Sequence, residues 1–184
     1  PTISGGPTTF CTGGSVLLTS SSATGNQWSL DGTPIGGATN QTYLATAAGN
    51  YTVIATTGGC PSLASAATTV TINPIPATPT IGAGGPLTFC SGGSVLLTSS
   101  SATGNQWSLN GTPIGGATNQ TYSATASGDY TVITTSGGCP SLASAATTVS
   151  VTPTPATPTI GAGGPTAFCS GGSVLLTSSS ATGN

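Results

Sequence analysis

The chain has 184 residues, no Lys, Arg or His, and only two acidic residues. Charged residues make up 1% of it, against about a quarter of an ordinary soluble chain. It therefore lacks the basic surface that binds nucleic acid, phosphate ligands or anionic membranes, and no apolar run reaches the roughly 20 residues of a membrane-spanning helix. Regularly placed aromatic and β-branched residues nevertheless predict a folded chain.

Short strands are predicted in chain order along the segment 1–75. Apolar side chains recur there with a period of two, and Thr, Ser or Gln fill most alternate positions. This pattern is typical of strands with one buried and one hydrated face. The predicted strands are 15–20, 27–30, 42–46, 51–56 and 68–72. No segment has the 3.6-residue periodicity of a helix.

Turn signals separate these segments, and Asp31-Gly32 is the most informative of them. The equivalent dipeptide in the second half of the chain is Asn110-Gly111. Both dipeptides are preferred in tight hairpin turns because both tolerate positive φ. The exchange of Asp for Asn keeps the turn chemistry and removes the charge, which indicates that the position acts through backbone geometry.

The sequence is made of tandem repeats of constant length. Phe-Cys occurs at 10–11, 89–90 and 168–169, which gives a period of 79, and the segments 10–80 and 89–159 differ at 11 of 71 positions. This period suits a small independent domain better than a solenoid unit. The predicted domains are repeat one at 1–75, repeat two at 76–154, and the N-terminal part of a truncated third repeat at 155–184. We expect the chain to be a piece of a longer array.

Six or seven short strands within a single repeat, with a mid-domain Trp and a later Tyr, predict an all-β fold of tandem immunoglobulin-like β-sandwiches. Trp28 and Trp107 are expected on the third strand, where they fill the core. Tyr51 and Tyr130 are expected to open the sixth strand as tyrosine corners. Core packing is favoured over ligand stacking for all four. Short Pro-rich linkers, extended and semi-rigid, join the domains.

Five cysteines accompany the repeat. The intervals from Cys11 to Cys60 and from Cys90 to Cys139 are both 49 residues. The simplest prediction is therefore one disulfide inside each repeat, Cys11–Cys60 and Cys90–Cys139, with the partner of Cys169 missing. The alternative is a reduced or metal-binding set, but zinc sites need Cys or His in close pairs, and the sequence has none. Disulfides imply an oxidising compartment outside the cytoplasm.

The residues that catalysis requires are scarce. Acid–base and covalent catalysis need a nucleophile with a base, or a pair of carboxylates. The chain has no His or Lys, and Asp31 and Asp129 stand at non-equivalent positions of different repeats, which also argues against a repeated calcium site. We expect no enzymatic activity, no cofactor and no metal.

Three strings carry a resemblance to a known family. They are Phe-Cys-x-Gly-Gly-Ser-Val, Asn-Gln-Trp-Ser-Leu, and Gly-Gly-Cys, and they recur at 10–60 and 89–139. The repeats resemble the immunoglobulin-like repeats of giant cell-surface adhesins of Bacteroidota, including gliding-motility adhesins of the SprB type and related type IX secretion substrates. The resemblance implies export, anchoring at the cell surface, and a role in adhesion or gliding.

The favoured function is therefore a structural and adhesive repeat region of a large secreted bacterial surface protein, as a stalk or filament. Its expected partners are neighbouring repeats of the same chain, with self-assembly into fibres through edge strands that no Lys protects. Neither nucleic acid nor membrane insertion is expected. The alternative is a glycan-binding module, with surface glycans as partners. An ice-binding surface, suggested by the Thr-rich faces, is a weaker third hypothesis.

Overall fold

A computed structural model of the protein describes residues 1–183, and all of its regular structure is β-strand. Side chains alternate along the strands as the sequence predicts. In the strand Val16–Ser20, for example, Val16 and Leu18 are buried and Leu17 is exposed. None of the described residues forms an apolar helix long enough to cross a membrane.

Two complete modules follow each other along the chain. The strands of the first module are β1 (Ile3–Gly5), β2 (Thr9–Cys11), β3 (Val16–Ser20), β4 (Asn26–Leu30), β5 (Thr33–Pro34), β6 (Thr42–Ala45), β7 (Gly49–Thr57), β8 (Cys60–Pro61) and β9 (Thr68–Asn73). The strands of the second module are β10 (Ile81–Ala83), β11 (Thr88–Cys90), β12 (Val95–Ser99), β13 (Asn105–Leu109), β14 (Thr112–Pro113), β15 (Thr121–Ala124), β16 (Gly128–Ser136), β17 (Cys139–Pro140) and β18 (Thr147–Thr152). Two further strands, β19 (Ile160–Ala162) and β20 (Leu176–Ser178), pair with each other.

Each module is a sandwich of two sheets. In the first module the smaller sheet has the order β1-β3-β6, and the larger has the order β2-β9-β7-β4-β5, with β8 paired to β7. All of these pairs are antiparallel except β2 with β9, which run parallel. The second module repeats the arrangement strand for strand. The prediction of tandem immunoglobulin-like β-sandwiches is therefore confirmed.

The five predicted strands correspond to β3, β4, β6, β7 and β9, with their ends shifted by no more than two residues. The strands that periodicity did not reveal are β1, β2, β5 and β8, which have two or three residues each. Such short segments contain too few positions to display an alternation. They matter here because β2 and β8 carry Cys11 and Cys60.

The hairpin turns at Asp31-Gly32 and Asn110-Gly111 have positive φ at both residues. The values are 48° and 80° in the first module, and 50° and 78° in the second. This conformation matches the right-handed twist of the strands on either side, β4 and β5 in the first module. The backbone of the turn is thus unchanged by the exchange of Asp for Asn.

The core of the first module lies between its two sheets. It contains Val16, Leu18, Trp28, Ala45, Tyr51, Val53 and Val70, and an equivalent set fills the second module. Because this core is small, each buried side chain contributes a large share of the module's stability.

Neighbouring leucines on β3 provide a matched test of the strand register. Leu18 is fully buried and Leu17 is 52% exposed. Leu18→Ala is expected to lower the free energy of unfolding by about 2–5 kcal/mol, whereas Leu17→Ala should change it by less than about 0.5 kcal/mol. Chemical denaturation of both variants measures the difference. Equal losses would mean that β3 does not present alternate side chains to the core.

The linker between the modules is fixed at its far end to the second module. No strand includes residues 74–80, yet the Pro79 side chain is buried. The Thr80 N–H donates to Ser100 Oγ (2.9 Å), and the Ser100 N–H donates to the Thr80 carbonyl (2.9 Å). The Pro-rich segment therefore runs against the end of the second module.

Candidate functional site

One disulfide joins the two modules. Within residues 1–183 it is the bond between Cys11 and Cys139, whose Cα atoms lie 5.6 Å apart and 128 residues apart in sequence. The predicted bonds Cys11–Cys60 and Cys90–Cys139 are therefore wrong. The thiols of Cys60, Cys90 and Cys169 are free and exposed.

Strand direction explains why Cys11 does not pair with Cys60. Cys11 ends β2 and lies beside Asn73 at the end of β9, where the first module leads into the linker. The long strand β7 is antiparallel to β9, with Gly49 opposite Val70, and it carries the chain to the opposite end before Cys60. At about 3.3 Å per residue the two cysteines are on the order of 30 Å apart, but a disulfide requires Cα atoms within about 7 Å.

The second module has the same polarity. Cys90 lies beside Thr152 at the end from which the chain leaves the module. Cys139 pairs with Ser136 across the β16–β17 turn, at the end that faces the first module. The joint therefore brings the exit end of one module, with Cys11, against the entry end of the next, with Cys139.

Asn73 is the centre of the polar contacts at this joint. Its Nδ2 donates to the Gly137 carbonyl (2.7 Å), and its own carbonyl accepts a hydrogen bond from the Thr12 N–H (2.9 Å). Gly137 has φ of 56°, and a Cβ there would lie 2.9 Å from Asn73 Nδ2. A glycine at this turn thus permits both the left-handed backbone and the close approach of the first module.

Burial differs between the two equivalent entry-end cysteines. Cys139 is 1% exposed because the first module covers it, and its Sγ lies 3.8 Å from the Asn73 carbonyl oxygen. Cys60 occupies the same place in the first module and is exposed. The burial of the entry end is therefore a consequence of the joint itself.

A polar groove of about 370 Å³ lies along the same joint. It is lined by linker residues 76–79 and by hydroxyl-bearing residues of the second module, Ser100, Ser101, Thr103, Thr134, Thr135 and Ser136. Some of these hydroxyls already have partners, since Thr134 Oγ1 lies 2.9 Å from both Ser101 Oγ and the Thr103 carbonyl. The groove offers hydrogen bonds and no charge.

The four aromatic side chains named from the sequence lie in the cores. Trp28 and Tyr51 are 0% and 1% exposed, as are Trp107 and Tyr130. Trp28 Nε1 donates to the Asn40 carbonyl (2.9 Å), and the Tyr51 hydroxyl donates to the Ala47 carbonyl (2.9 Å). The latter bond, to the backbone a few residues upstream, is that of a tyrosine corner. The second module has both bonds as well.

Both acidic residues occupy the same corner of their modules. The Asn50 N–H donates to Asp31 Oδ1 (2.9 Å), and the Asp129 N–H donates to Asn110 Oδ1 (2.9 Å). Asp31 and Asp129 are not at equivalent positions of the repeat. Within each module, however, the two positions concerned are hydrogen-bonded neighbours, so each module has one carboxylate at this corner. Among residues 1–183, no group of three or more His, Cys, Asp or Glu side chains is arranged to hold a metal ion.

Burial raises the pKa of Tyr51 and of Tyr130 above the usual value near 10. Folding therefore favours the protonated phenol. Above about pH 10 the unfolded chain loses these protons first, so the free energy of unfolding should fall as the pH rises through and beyond that value. Denaturation between pH 8 and pH 11 tests this, and Tyr51→Phe together with Tyr130→Phe should weaken the dependence.

Solved structures resemble the chain at the level of the fold. A marsupial T cell receptor aligns with a TM-score of 0.52 and 16% identity, over 88% of this chain and 76% of that chain. The human OSCAR ligand-binding domain aligns with a TM-score of 0.36 and 15% identity, over 81% and 97%. No protein-family model and no curated protein matches the sequence. The chain is therefore a pair of modules with the immunoglobulin-like β-sandwich fold.

Proposed function

We propose that this chain is a structural repeat region of a large secreted protein, serving as a stalk or filament at the cell surface with a role in adhesion or gliding. The observation that carries the proposal is the Cys11–Cys139 disulfide. It joins the exit end of one module to the entry end of the next. A bond in this position holds two modules in line and contributes nothing to a cleft or an active centre.

The joint supports a spacer role in a second way. The Asn73–Gly137 hydrogen bond and the disulfide both restrain the same interface. Pro-rich segments are already semi-rigid spacers, and these contacts limit the bending that a bare linker would allow. Restraint at the joint favours a fixed spacing between modules.

The same bond supports an extracellular location. Disulfides persist in oxidising compartments and are rare where thiols are kept reduced. The nearly uncharged surface, with Thr and Ser on the outer faces of the sheets, suits a chain that is tethered in an array. No catalytic step is assigned to the chain in this proposal, and its partners are neighbouring repeats.

Glycan binding is the second candidate, and the polar groove at the joint is the feature that favours it. Its hydroxyl groups can donate and accept hydrogen bonds to a sugar. However, the four aromatic side chains that would stack on a sugar ring lie in the cores. Binding of the chain on a glycan array, lost in Ser101→Val, would favour this candidate over the purely structural one.

Immunogold labelling of intact cells tests the structural proposal. Antibodies against the folded chain, applied to the organism that makes it, are expected to label extended surface fibres in electron micrographs. Permeabilised cells and cells lacking the gene are the controls. Labelling that requires permeabilisation would overturn the proposal.

A further inference from the structure

We propose that the exposed thiols of Cys60 and Cys90 are sites for further inter-module disulfides, each taking a module of this same repeat as its partner. Cys90 would bond the entry-end cysteine of a following module, and Cys60 the exit-end cysteine of a preceding one. This inference rests on the proposed array and deepens it, because each joint of the array is then covalently closed in the manner of Cys11–Cys139.

The backbone around Cys60 has the geometry found around Cys139. Cys60 pairs with Thr57 across its turn, as Cys139 pairs with Ser136. The two glycines of the turn have φ of 59° and 81° before Cys60, against 56° and 80° before Cys139. The nearby Ser62 donates its N–H to the Ala55 carbonyl at 2.8 Å, a bond that the second module also has. Cys60 is therefore held in the bonding conformation before any partner arrives.

The surroundings of Cys90 likewise match those of Cys11. Cys11 lies opposite Asn73 in the parallel pair of strands, and Cys90 lies opposite Thr152. The Thr12 N–H donates to the Asn73 carbonyl (2.9 Å), and the Ser91 N–H donates to the Thr152 carbonyl (2.8 Å). Cys90 thus has the same place at the exit end of its module as Cys11. The Cys90 thiol is free and exposed, whereas Cys11 is in a disulfide.

Position in the module identifies the partner. Cys60 and Cys90 lie at the two outer ends of the module pair, and the joint between the modules already shows which cysteine each end accepts. In the bond that is present, the exit-end cysteine Cys11 pairs with Cys139, the entry-end cysteine of the next copy, which lies 128 residues further along the chain. A bond between Cys90 and the entry-end cysteine of its own module would have to cross the whole module.

The chemistry balances with a disulfide oxidant such as oxidised glutathione. Each new bond joins two Sγ atoms, and the two thiols release two protons and two electrons. The electrons reduce the oxidant's own disulfide, which takes up the protons and leaves as two thiols. No other group on the chain is needed for this exchange.

Overlap between successive bonds is the structural consequence. Cys90 lies in the chain segment between Cys11 and Cys139, so the segment enclosed by the next disulfide overlaps the segment enclosed by the first. Tension along such an array crosses each joint through a disulfide and reaches the next disulfide through the backbone between the bonded cysteines. A module that lost its fold would lengthen the array only until that backbone was taut.

The test completes the third repeat. A copy of residues 106–154 is added after residue 184 of the full chain, and the protein is refolded in a glutathione redox buffer. Free thiols are alkylated, and peptic peptides are mapped by mass spectrometry, since the chain has no Lys or Arg for trypsin. The expected result is a cross-link between Cys90 and the added copy of Cys139, together with Cys11–Cys139, while Cys60 and Cys169 are alkylated.

The unextended chain is the matched control, and there Cys90 should be alkylated. Fluorescence of the added Trp checks that the completed module folds. In a folded extended chain, alkylation of Cys90, or a link from the added cysteine to Cys169, would overturn the inference. That outcome is distinct from failure of the proposed function, because surface labelling of cells does not depend on the redox state of Cys90.

Discussion

Trp28→Ala is expected to destabilise the first module strongly while the second stays folded. The Trp28 side chain is fully buried at the centre of the first core, and its Nε1 donates to the Asn40 carbonyl. Removing a buried Trp costs about 3–5 kcal/mol, and the Asn40 carbonyl also loses its partner. A module of this size has in total about 4–11 kcal/mol of stability, at the usual 0.05–0.15 kcal/mol per residue. Amide hydrogen exchange resolves the loss of protection in the first module.

The chain supplies its own reporter for this experiment. In Trp28→Ala the remaining tryptophan is Trp107, so fluorescence follows the second module alone. Its denaturation midpoint should match that of the second module in the unchanged chain. Leu63→Ala removes a large side chain that is 91% exposed, and it should alter neither module. A first module that keeps its protection in Trp28→Ala would contradict the placement of the core.

Cys11→Ser is expected to have the other large effect. The bond it removes closes a loop of 128 residues, and in the chain-entropy model such a loop contributes about 5 kcal/mol. The loss should appear as a lower denaturation midpoint for the two modules. It should also appear under tension, because the intact bond keeps the enclosed residues from extending. Pulling from the two termini should gain roughly 450 Å of additional length in Cys11→Ser, at about 3.5 Å per residue.

Cys60→Ser is the matched control, since it removes a cysteine whose thiol is exposed and free. Its stability and its extension should equal those of the unchanged chain. Reduction with dithiothreitol should convert the unchanged chain to the behaviour of Cys11→Ser. If Cys60→Ser instead gave the larger loss, the bond would lie within the first module.

The framework of the fold could be predicted from the sequence because it depends on local patterns. Alternation located the longer strands, such as β3 and β7, and the Asp31-Gly32 dipeptide located a hairpin turn that needs positive φ at both residues. The position of Tyr51 after a turn indicated a tyrosine corner, and its hydroxyl makes that bond. These features are each set by a few adjacent residues.

The disulfide could not be predicted from spacing because the repeat makes two pairings look alike. Cys60 follows Cys11 within the first repeat, and Cys139, the equivalent cysteine of the second repeat, follows one full period of 79 residues later. Only the direction of the strands decides, and it places Cys11 and Cys60 at opposite ends of the sandwich. The strands that settle this, β2 and β8, are too short to show a pattern. The shared corner of Asp31 and Asn50 was missed for a related reason, since the two positions meet only across the fold.

Peptide mapping of the unreduced chain tests the central claim most directly. After alkylation of free thiols and digestion with pepsin, mass spectrometry should find one cross-linked pair, containing Cys11 and Cys139, with alkyl groups on Cys60, Cys90 and Cys169. A pair that joins Cys11 to Cys60, or Cys90 to Cys139, would contradict the covalent joint between modules.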